Sequence, residues 1–509
     1  MTTSQFLIIA TIIIYLGGVV AIGFVYSKKN SSTADFYLGS RKLGPLVTAM
    51  SAEASDMSAY LLMGLPGVAL LAGLPEATWT AIGLAIGTYL NWLFVAKKLR
   101  HYSQHIGAIT VPDFFSRRFH DEKHLLSLVA AVVIIVFFVP YTASGFNACG
   151  TLFASLFGVD YFTAMVVSAI IIIIYTTLGG FLAVSTTDFI QSIIMTIALI
   201  VVVCFGINTA GGWSAVVENA KAMPGYLNLT QGYDLASGSA ASYGPLTIVS
   251  TLAWGLGYFG MPHILLRFMA IENPDKLKTS RRVATVWVVI SMAIAIGIGV
   301  IGNAMIHAGA IEDIAANDSQ RIIIKVAELL SSYGVLPAVI AGIILSGILA
   351  ATMSTADSQL LAAASSVTQD LLCDTFKIKL SARASMIIAR VTVILIALIG
   401  VIWARNEGVV FSIVSFAWAG FGAAFGPVML LALFWKKSNK WGALTGMIAG
   451  GVMVFLWKYG VRPMGGLLDI YELLPAFIVG LVVNVVVSLA TGGAEASVTK
   501  EFDEVKAMN

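Results

Sequence analysis

Charge is what this sequence has least of. Only 11% of its 509 residues are Asp, Glu, Lys or Arg, against 58% hydrophobic. A soluble chain of this length cannot clothe its surface with so few charges, which excludes the ordinary globular classes. Cysteine is nearly missing too. Cys149, Cys204 and Cys373 share no motif spacing, so neither a disulfide framework nor a metal cluster is expected. Of six histidines four fall within residues 97–124, and only His263 lies inside an apolar run, which removes a bis-histidine haem site. No G-x-x-x-x-G-K-[ST] segment occurs, so nothing supports nucleotide-driven chemistry. The net charge is only +3, with no basic patch to suggest nucleic acid.

What the chain has instead is long apolar runs. Those near 20 residues predict about thirteen membrane spans. They lie near 6–26, 46–72, 77–96, 125–149, 162–180, 189–207, 246–268, 283–306, 335–366, 385–404, 409–434, 442–458 and 473–490. The opening "MTTSQ" carries no positive charge and its apolar run is too long for a cleavable signal. Threading the spans puts 22 of the 30 Lys and Arg on one side, in loops such as "SKKN", "SRRF", "DKLKTSRR" and "WKKSNK". The positive-inside rule makes those loops cytoplasmic, with the N-terminus outside and the C-terminus inside. A single all-α transmembrane domain over residues 1–490 is therefore expected, followed by a solvated cytoplasmic tail, 491–509. Outside the membrane, 208–245 reads as a Gly/Ser/Ala-rich loop and "SQRIIIKVAELL" as an amphipathic helix.

Two spans are interrupted. The second reads "SAEASDMSAYLLMGLPG", with Glu53 and Asp56 ahead of Gly64, Pro66 and Gly67. The seventh reads "TLAWGLGYFGMPHILLRF". Glycine and proline free backbone carbonyls and amides, which survive in hydrocarbon only where protein or a cavity satisfies them. Interrupted helices five spans apart point to an inverted-repeat transporter with its sites at the breaks; close helix packing by glycine is the plainer reading. A carboxylate at mid-membrane depth costs roughly 2.5–3.5 kcal/mol on insertion scales. Glu53 and Asp56, at i and i+3, share a helix face if the run is helical. The alternative is a span starting near Met57, with Asp56 as N-cap and Glu53 in solvent.

Oxygen ligands for a hard cation are available. In "ILAATMSTADSQLL", Ala351, Ser354, Thr355 and Ser358 form one helical stripe, with Asp357 beside it. Isolated Ser and Thr in membrane helices often back-bond to i−4 carbonyls. Asp188, in "STTDFIQS", is read either as the N-cap of the sixth span or as part of an ion site. Trp254, Tyr258 and Pro262 recur every four residues along the broken seventh span, and Tyr141 follows Pro140 in the fourth. Near a helix break such aromatics can cup a small solute with an apolar body and an ammonium group.

The stretches "SAEASDMSAYLLMGLPG", "TLGGFLAVSTTD", "WGLGYFGMPHILLRFMA", "ILAATMSTADSQLL" and "SFAWAGFGAAFGPV" closely resemble the proline-transporting members of the solute:sodium symporter family, in order from about residue 31 to 480. The resemblance implies a LeuT-type fold: a leading helix, two inverted five-helix repeats (46–207 and 246–434) and two trailing helices. It implies a main sodium site made of backbone oxygens of Ala54, Met57 and Ala351 with the hydroxyls of Ser354 and Thr355. It places Asp56 and Ser58 among residues needed for sodium coupling, and Asp188, Asp357 and Ser358 where some members hold an additional sodium. Tyr60, Tyr141, Trp254, Tyr258 and Pro262 match the substrate pocket. Three positions depart from the pattern: Glu53 replaces a small residue, Ala59 a glycine and Tyr60 a tryptophan. The expected activity is Na⁺-coupled import of proline, or of another small amino acid or organic acid, by a protein of the bacterial inner membrane. A channel or sensor on the same fold is the rival class. No cofactor beyond Na⁺ as coupling ion is expected, the membrane lipid is the surrounding partner, and a monomer is expected to suffice.

Overall fold

The computed structural model describes residues 2–27, 33–406 and 408–508. The lysines of the first expected cytoplasmic loop, Lys28 and Lys29, lie outside them. In lipid the backbone must satisfy its own hydrogen bonds, and this chain does so with helices. Among the described residues eleven are long and apolar enough to cross a bilayer, and they cover eleven of the expected spans. The fifth span is the helical limb that begins at Tyr161 and runs to Gly180. At Gly180 (φ 68°, ψ −176°) it meets the helix of the sixth span, which runs on to Thr209. The connection between these spans is therefore a kink at a single glycine, at a φ that glycine adopts without steric cost. The seventh span is in three pieces: Pro245–Leu252, a 3₁₀ stretch Ala253–Phe259, and Pro262–Ala270 after a turn at Gly260.

Burial separates the centre from the rim. The second span and Val410–Phe434 are each 89% buried over their most apolar window, whereas the first span is 22% buried. The broken seventh span crosses the third backbone to backbone. A Cβ added at Gly255 would fall 2.2 Å from the Gly83 carbonyl oxygen, and one at Gly87 would fall 2.3 Å from that of Gly255. Small residues permit this approach where apolar burial alone supplies no drive between helices.

Three peripheral segments differ from or sharpen the sequence reading. Residues 208–245 hold a helix, Trp213–Ala222, and a two-stranded antiparallel hairpin, Gln231–Asp234 with Ser239–Ser242, in the register Gln231↔Ser242. Tyr226 in this segment donates its hydroxyl to the carbonyls of Ala69 (2.7 Å) and Leu70 (3.0 Å), closing the end of the second span. The amphipathic helix expected near 319–330 is Ile322–Ser331, with Ile322, Ile323, Ile324, Val326 and Ala327 buried. The C-terminal tail is not the free solvated segment expected. It forms a helix, Ala496–Ala507, whose Val498, Phe502 and Val505 are buried. Glu501 accepts from the Tyr102 hydroxyl at 2.9 Å and pairs with His120 at 3.0 Å. The apolar residues at i, i+4 and i+7 are the cause: a mostly polar segment hides one narrow apolar stripe.

Candidate functional site

The site is built around a break in the second span. That span begins as a helix at Pro45–Ala59, so Glu53 and Asp56 are both buried in membrane helix, and the reading with Asp56 as N-cap fails. The break is at Ser58, with φ 49° and ψ −167°. Its hydroxyl accepts the backbone N–H of Tyr60 at 3.1 Å. The chain resumes through a π-helical turn, Tyr60–Gly64, and a helix, Leu65–Ala72. The sequence reading placed the interruption at Gly64–Gly67. Pro66 does not interrupt, because it occupies the first turn of a helix, where no N–H is needed.

The long helix Val335–Ser365 packs its hydroxyl stripe against this break. Ser354 Oγ lies 2.8 Å from the Ala54 carbonyl oxygen and 3.2 Å from that of Ala351. Thr355 Oγ1 lies 3.2 Å from the Ala351 oxygen. Ala54, Ala351, Ser354 and Thr355 are thereby brought together, all buried. Met57 is the last residue before the break, and its carbonyl accepts from the Tyr60 N–H. Backbone and hydroxyl oxygens of this kind are the donor set a hard monovalent cation takes, and no cluster of His, Cys, Asp or Glu fit for a transition metal occurs among the described residues.

Asp56 connects this oxygen cluster to the aromatic residues. Tyr258, on the 3₁₀ stretch of the seventh span, donates its hydroxyl to Asp56 Oδ2. Tyr141 donates to the Asp56 backbone carbonyl at 3.3 Å. Tyr60 stacks on Trp254, centroids 5.6 Å apart and planes at 29°. Trp254 in turn stacks on Tyr471 at 5.1 Å and meets Phe411 at 5.4 Å. The Tyr60 hydroxyl is buried with no hydrogen-bond partner among the described residues. Pro262 opens the helix after the Gly260 turn. Phe411 and Tyr471 were missed in the sequence, because each lies alone in a run that gives no sign of facing Trp254.

Glu53 is answered by a different element. Its Oε1 accepts from Thr88 Oγ1 at 2.9 Å and from Trp92 Nε1 at 2.8 Å, both on the third span, while Oε2 is buried without a partner among the described residues. It ties the second span to the third, whereas Ala54 beside it meets Ser354.

The expected second-ion group resolves differently again. Asp188 lies inside the helix Tyr161–Thr209, so it caps nothing. Its Oδ2 accepts from Ser51 Oγ at 2.6 Å and from Arg267 at 3.1 Å. Arg267 also donates to Ser358 Oγ at 2.5 Å, to Ser51 Oγ at 3.0 Å and to the His263 carbonyl at 2.8 Å. Ser358 Oγ lies 3.2 Å from Asp357 Oδ1 and 2.8 Å from the Ser354 carbonyl. Arg267 is the residue that sequence reasoning passed over. Its signal was present, since an arginine inside "MPHILLRFMA" must find carboxylate or carbonyl partners at that depth.

Comparison with known proteins adds an independent line. The family model for the sodium:solute symporter family matches residues 36–450. The sodium/proline symporter of Escherichia coli is 40% identical over 506 residues, spanning 98% of this chain and 96% of that one. The high-affinity proline transporter PutP of Bacillus subtilis is 41% identical over 488 residues, spanning 95% and 98%. Among solved structures, a Na⁺-coupled sialic acid symporter in a substrate-bound outward-open state superposes with a TM-score of 0.78 at 17% identity, covering 96% of this chain and 99% of that one. Mhp1, a nucleobase-cation-symport-1 family transporter, superposes with a TM-score of 0.54 at 13% identity, covering 93% and 99%. At such identities the likeness shows the fold, which is of the LeuT type.

Proposed function

Since this chain belongs to the sodium:solute symporter family, we propose that it imports L-proline together with Na⁺ by alternating access, as a multi-pass protein of the bacterial plasma membrane. The observation that carries the reading is the placement of Asp56. Two residues before it, Ala54 offers its carbonyl to Ser354; at Asp56 itself, Tyr141 and Tyr258 both donate hydrogen bonds. Ion ligands and aromatic pocket therefore share one broken turn, and filling either moves the other.

In this reading Na⁺ is held by the carbonyls of Ala54, Met57 and Ala351 and the hydroxyls of Ser354 and Thr355. On binding, the Ser354 hydroxyl turns its proton away from the Ala54 carbonyl and offers a lone pair to the cation instead. Proline sits among Tyr60, Tyr141, Trp254, Tyr258 and Pro262, its ring against the aromatics and its ammonium over their faces. The repeats run over 46–207 and 246–434, with the breaks at Ser58 and Gly260 opening each. A further sodium among Asp188, Asp357 and Ser358 would face the Arg267 guanidinium, 3.1 Å from Asp188, so one sodium per cycle is the stoichiometry proposed.

One Na⁺ moving with a zwitterion carries one full charge, worth about 2.3 kcal/mol per 100 mV. That corresponds to roughly fifty-fold accumulation. Uptake by purified protein in liposomes tests the reading: labelled proline should accumulate only under an inward Na⁺ gradient. Ser354→Ala and Thr355→Ala should each raise the Na⁺ concentration for half-maximal uptake by about tenfold, since a hydrogen bond or ligand contact to a charged group is worth about 1.5–3 kcal/mol. A different amino acid or an organic acid that competes far better than proline overturns the substrate. Unchanged Na⁺ dependence in both variants overturns the ion site.

A further inference from the structure

The helices Leu125–Phe157 and Lys440–Leu456 lie side by side and start at the same end of the molecule. Along their outer seam runs a groove of about 450 Å³ with an entirely apolar lining. Leu128, Val132 and Val136 form one wall, and Ile448, Val452 and Phe455 the other. Each set advances by three or four residues, so each is a single stripe of its helix. From Leu128 to Val136 the wall rises about 12 Å at 1.5 Å per residue. That is most of one leaflet of a hydrocarbon core about 30 Å thick.

Continuing both stripes toward the helix starts leads into a second cavity, of about 360 Å³. It is lined by Leu125 and Leu126 from one helix and Trp441 and Leu444 from the other, together with Lys123, Lys440, Glu122 and Glu495. None of these four charged side chains forms an ion pair with a described residue. Asp121, a third carboxylate in the lining, is buried and accepts the Leu126 N–H at 2.8 Å, and His120 is paired with Glu501 at 3.0 Å. Trp441 is exposed and has the Lys440 ammonium 5.7 Å above its ring, the posture of a residue at a membrane–water boundary.

We propose that this seam binds one zwitterionic phospholipid, an ethanolamine phosphoglyceride, with an acyl chain in the apolar groove and the headgroup in the charged cavity. The phosphate takes Lys123 and Lys440, and the ammonium takes Glu122 and Glu495. Two ammonium groups facing carboxylates across one cavity match a headgroup that carries both signs of charge. An anionic headgroup would leave the carboxylates facing it, and an apolar helix would leave the charges unanswered.

The full-length protein in nanodiscs of equal parts ethanolamine and glycerol phospholipids, released into mild detergent and weighed by native mass spectrometry, tests this. One ethanolamine lipid should stay with each chain. Lys123→Gln and Lys440→Gln should each lower that retention by about fivefold. Val452→Trp, on the lipid-facing wall and remote from the core, should abolish it by filling the groove while the melting temperature stays put. Retention unchanged in all three variants overturns the proposal. So does retention of the glycerol lipid in preference, or a dimer mass in place of the lipid adduct.

Discussion

A residue buried in a membrane protein is judged by what answers its polar atoms. Arg267 and Asp188 are 1% and 0% exposed and 3.1 Å apart, so neither can lose its partner cheaply. Breaking a buried pair costs about 3–5 kcal/mol, because a lone charge remains. Arg267→Met should therefore lower the melting temperature sharply, and Arg267→Met with Asp188→Leu should recover much of the loss. Thermal unfolding of the two single variants and the double, in one detergent, measures this. Glu53 follows the same logic with a neutral outcome available. Glutamine keeps an acceptor for Thr88 and Trp92, so Glu53→Gln should stay within about 1 kcal/mol of the parent and retain Na⁺-driven uptake. Leucine strands both donors at about 1–3 kcal/mol, and the difference between the two variants in melting and uptake is the readout. Glu53 and Asp56 were legible as anomalies, since a carboxylate in an apolar run must be doing something. Which element answered each was not: Asp56 meets the seventh and fourth spans, Glu53 the third, and the sequence carries no trace of that choice.

At the scale of elements, the glycines of the seventh span let its backbone meet two different neighbours. A Cβ added at Gly260, at the turn before Pro262, would fall 2.2 Å from the Phe421 carbonyl oxygen, and one at Gly255 would fall 2.2 Å from that of Gly83. Gly255→Ala would put a methyl 2.2 Å from a carbonyl oxygen that is itself held by its helix, so the helices must part. Overpacking of this kind costs about 1–3 kcal/mol. Gly17→Ala, where a Cβ meets nothing within 4 Å, should stay within about 0.5 kcal/mol. Thermal stability of both variants, with the fraction recovered as monodisperse protein, separates the two cases. The existence of the broken spans could be read from glycine, proline and the misplaced acids. The break point in the second span could not. A serine at φ 49° has no local preference for that conformation, and it is held there by packing of the buried residues on either side.

Across the whole molecule, the C-terminal helix straps elements far apart in sequence. Phe502 lies under the Arg118 guanidinium, 5.2 Å from its ring centre, and Glu501 binds Tyr102 and His120. Arg118 Nε is anchored to the Ala432 carbonyl at 2.9 Å, so the tail, the 97–124 segment and Val410–Phe434 form one joined surface. Truncation after Gly493 uncovers that surface and removes three buried apolar side chains, at about 1.5–3 kcal/mol for each one fully buried. The truncated protein should melt earlier and be cut faster by protease within 97–124, and limited proteolysis followed by mass mapping reads this directly.

Composition by itself determined that this chain lives in a membrane, because 58% apolar residues leave too little polar surface for water. The spacing of apolar runs determined the helices, since hydrocarbon admits no unpaired backbone. The hydroxyl stripe of Val335–Ser365 was equally legible, being a matter of helical period within one segment. What only the tertiary structure decided is every pairing between segments: Ser354 with the Ala54 carbonyl, Tyr258 with Asp56, Arg267 with Asp188, Glu53 with Thr88 and Trp92. The reason is physical. Periodicity tells a residue which face of its own helix it occupies, whereas its partner depends on how the spans pack against one another. That arrangement is settled by close contacts such as Gly255 on Gly83, which no single segment contains.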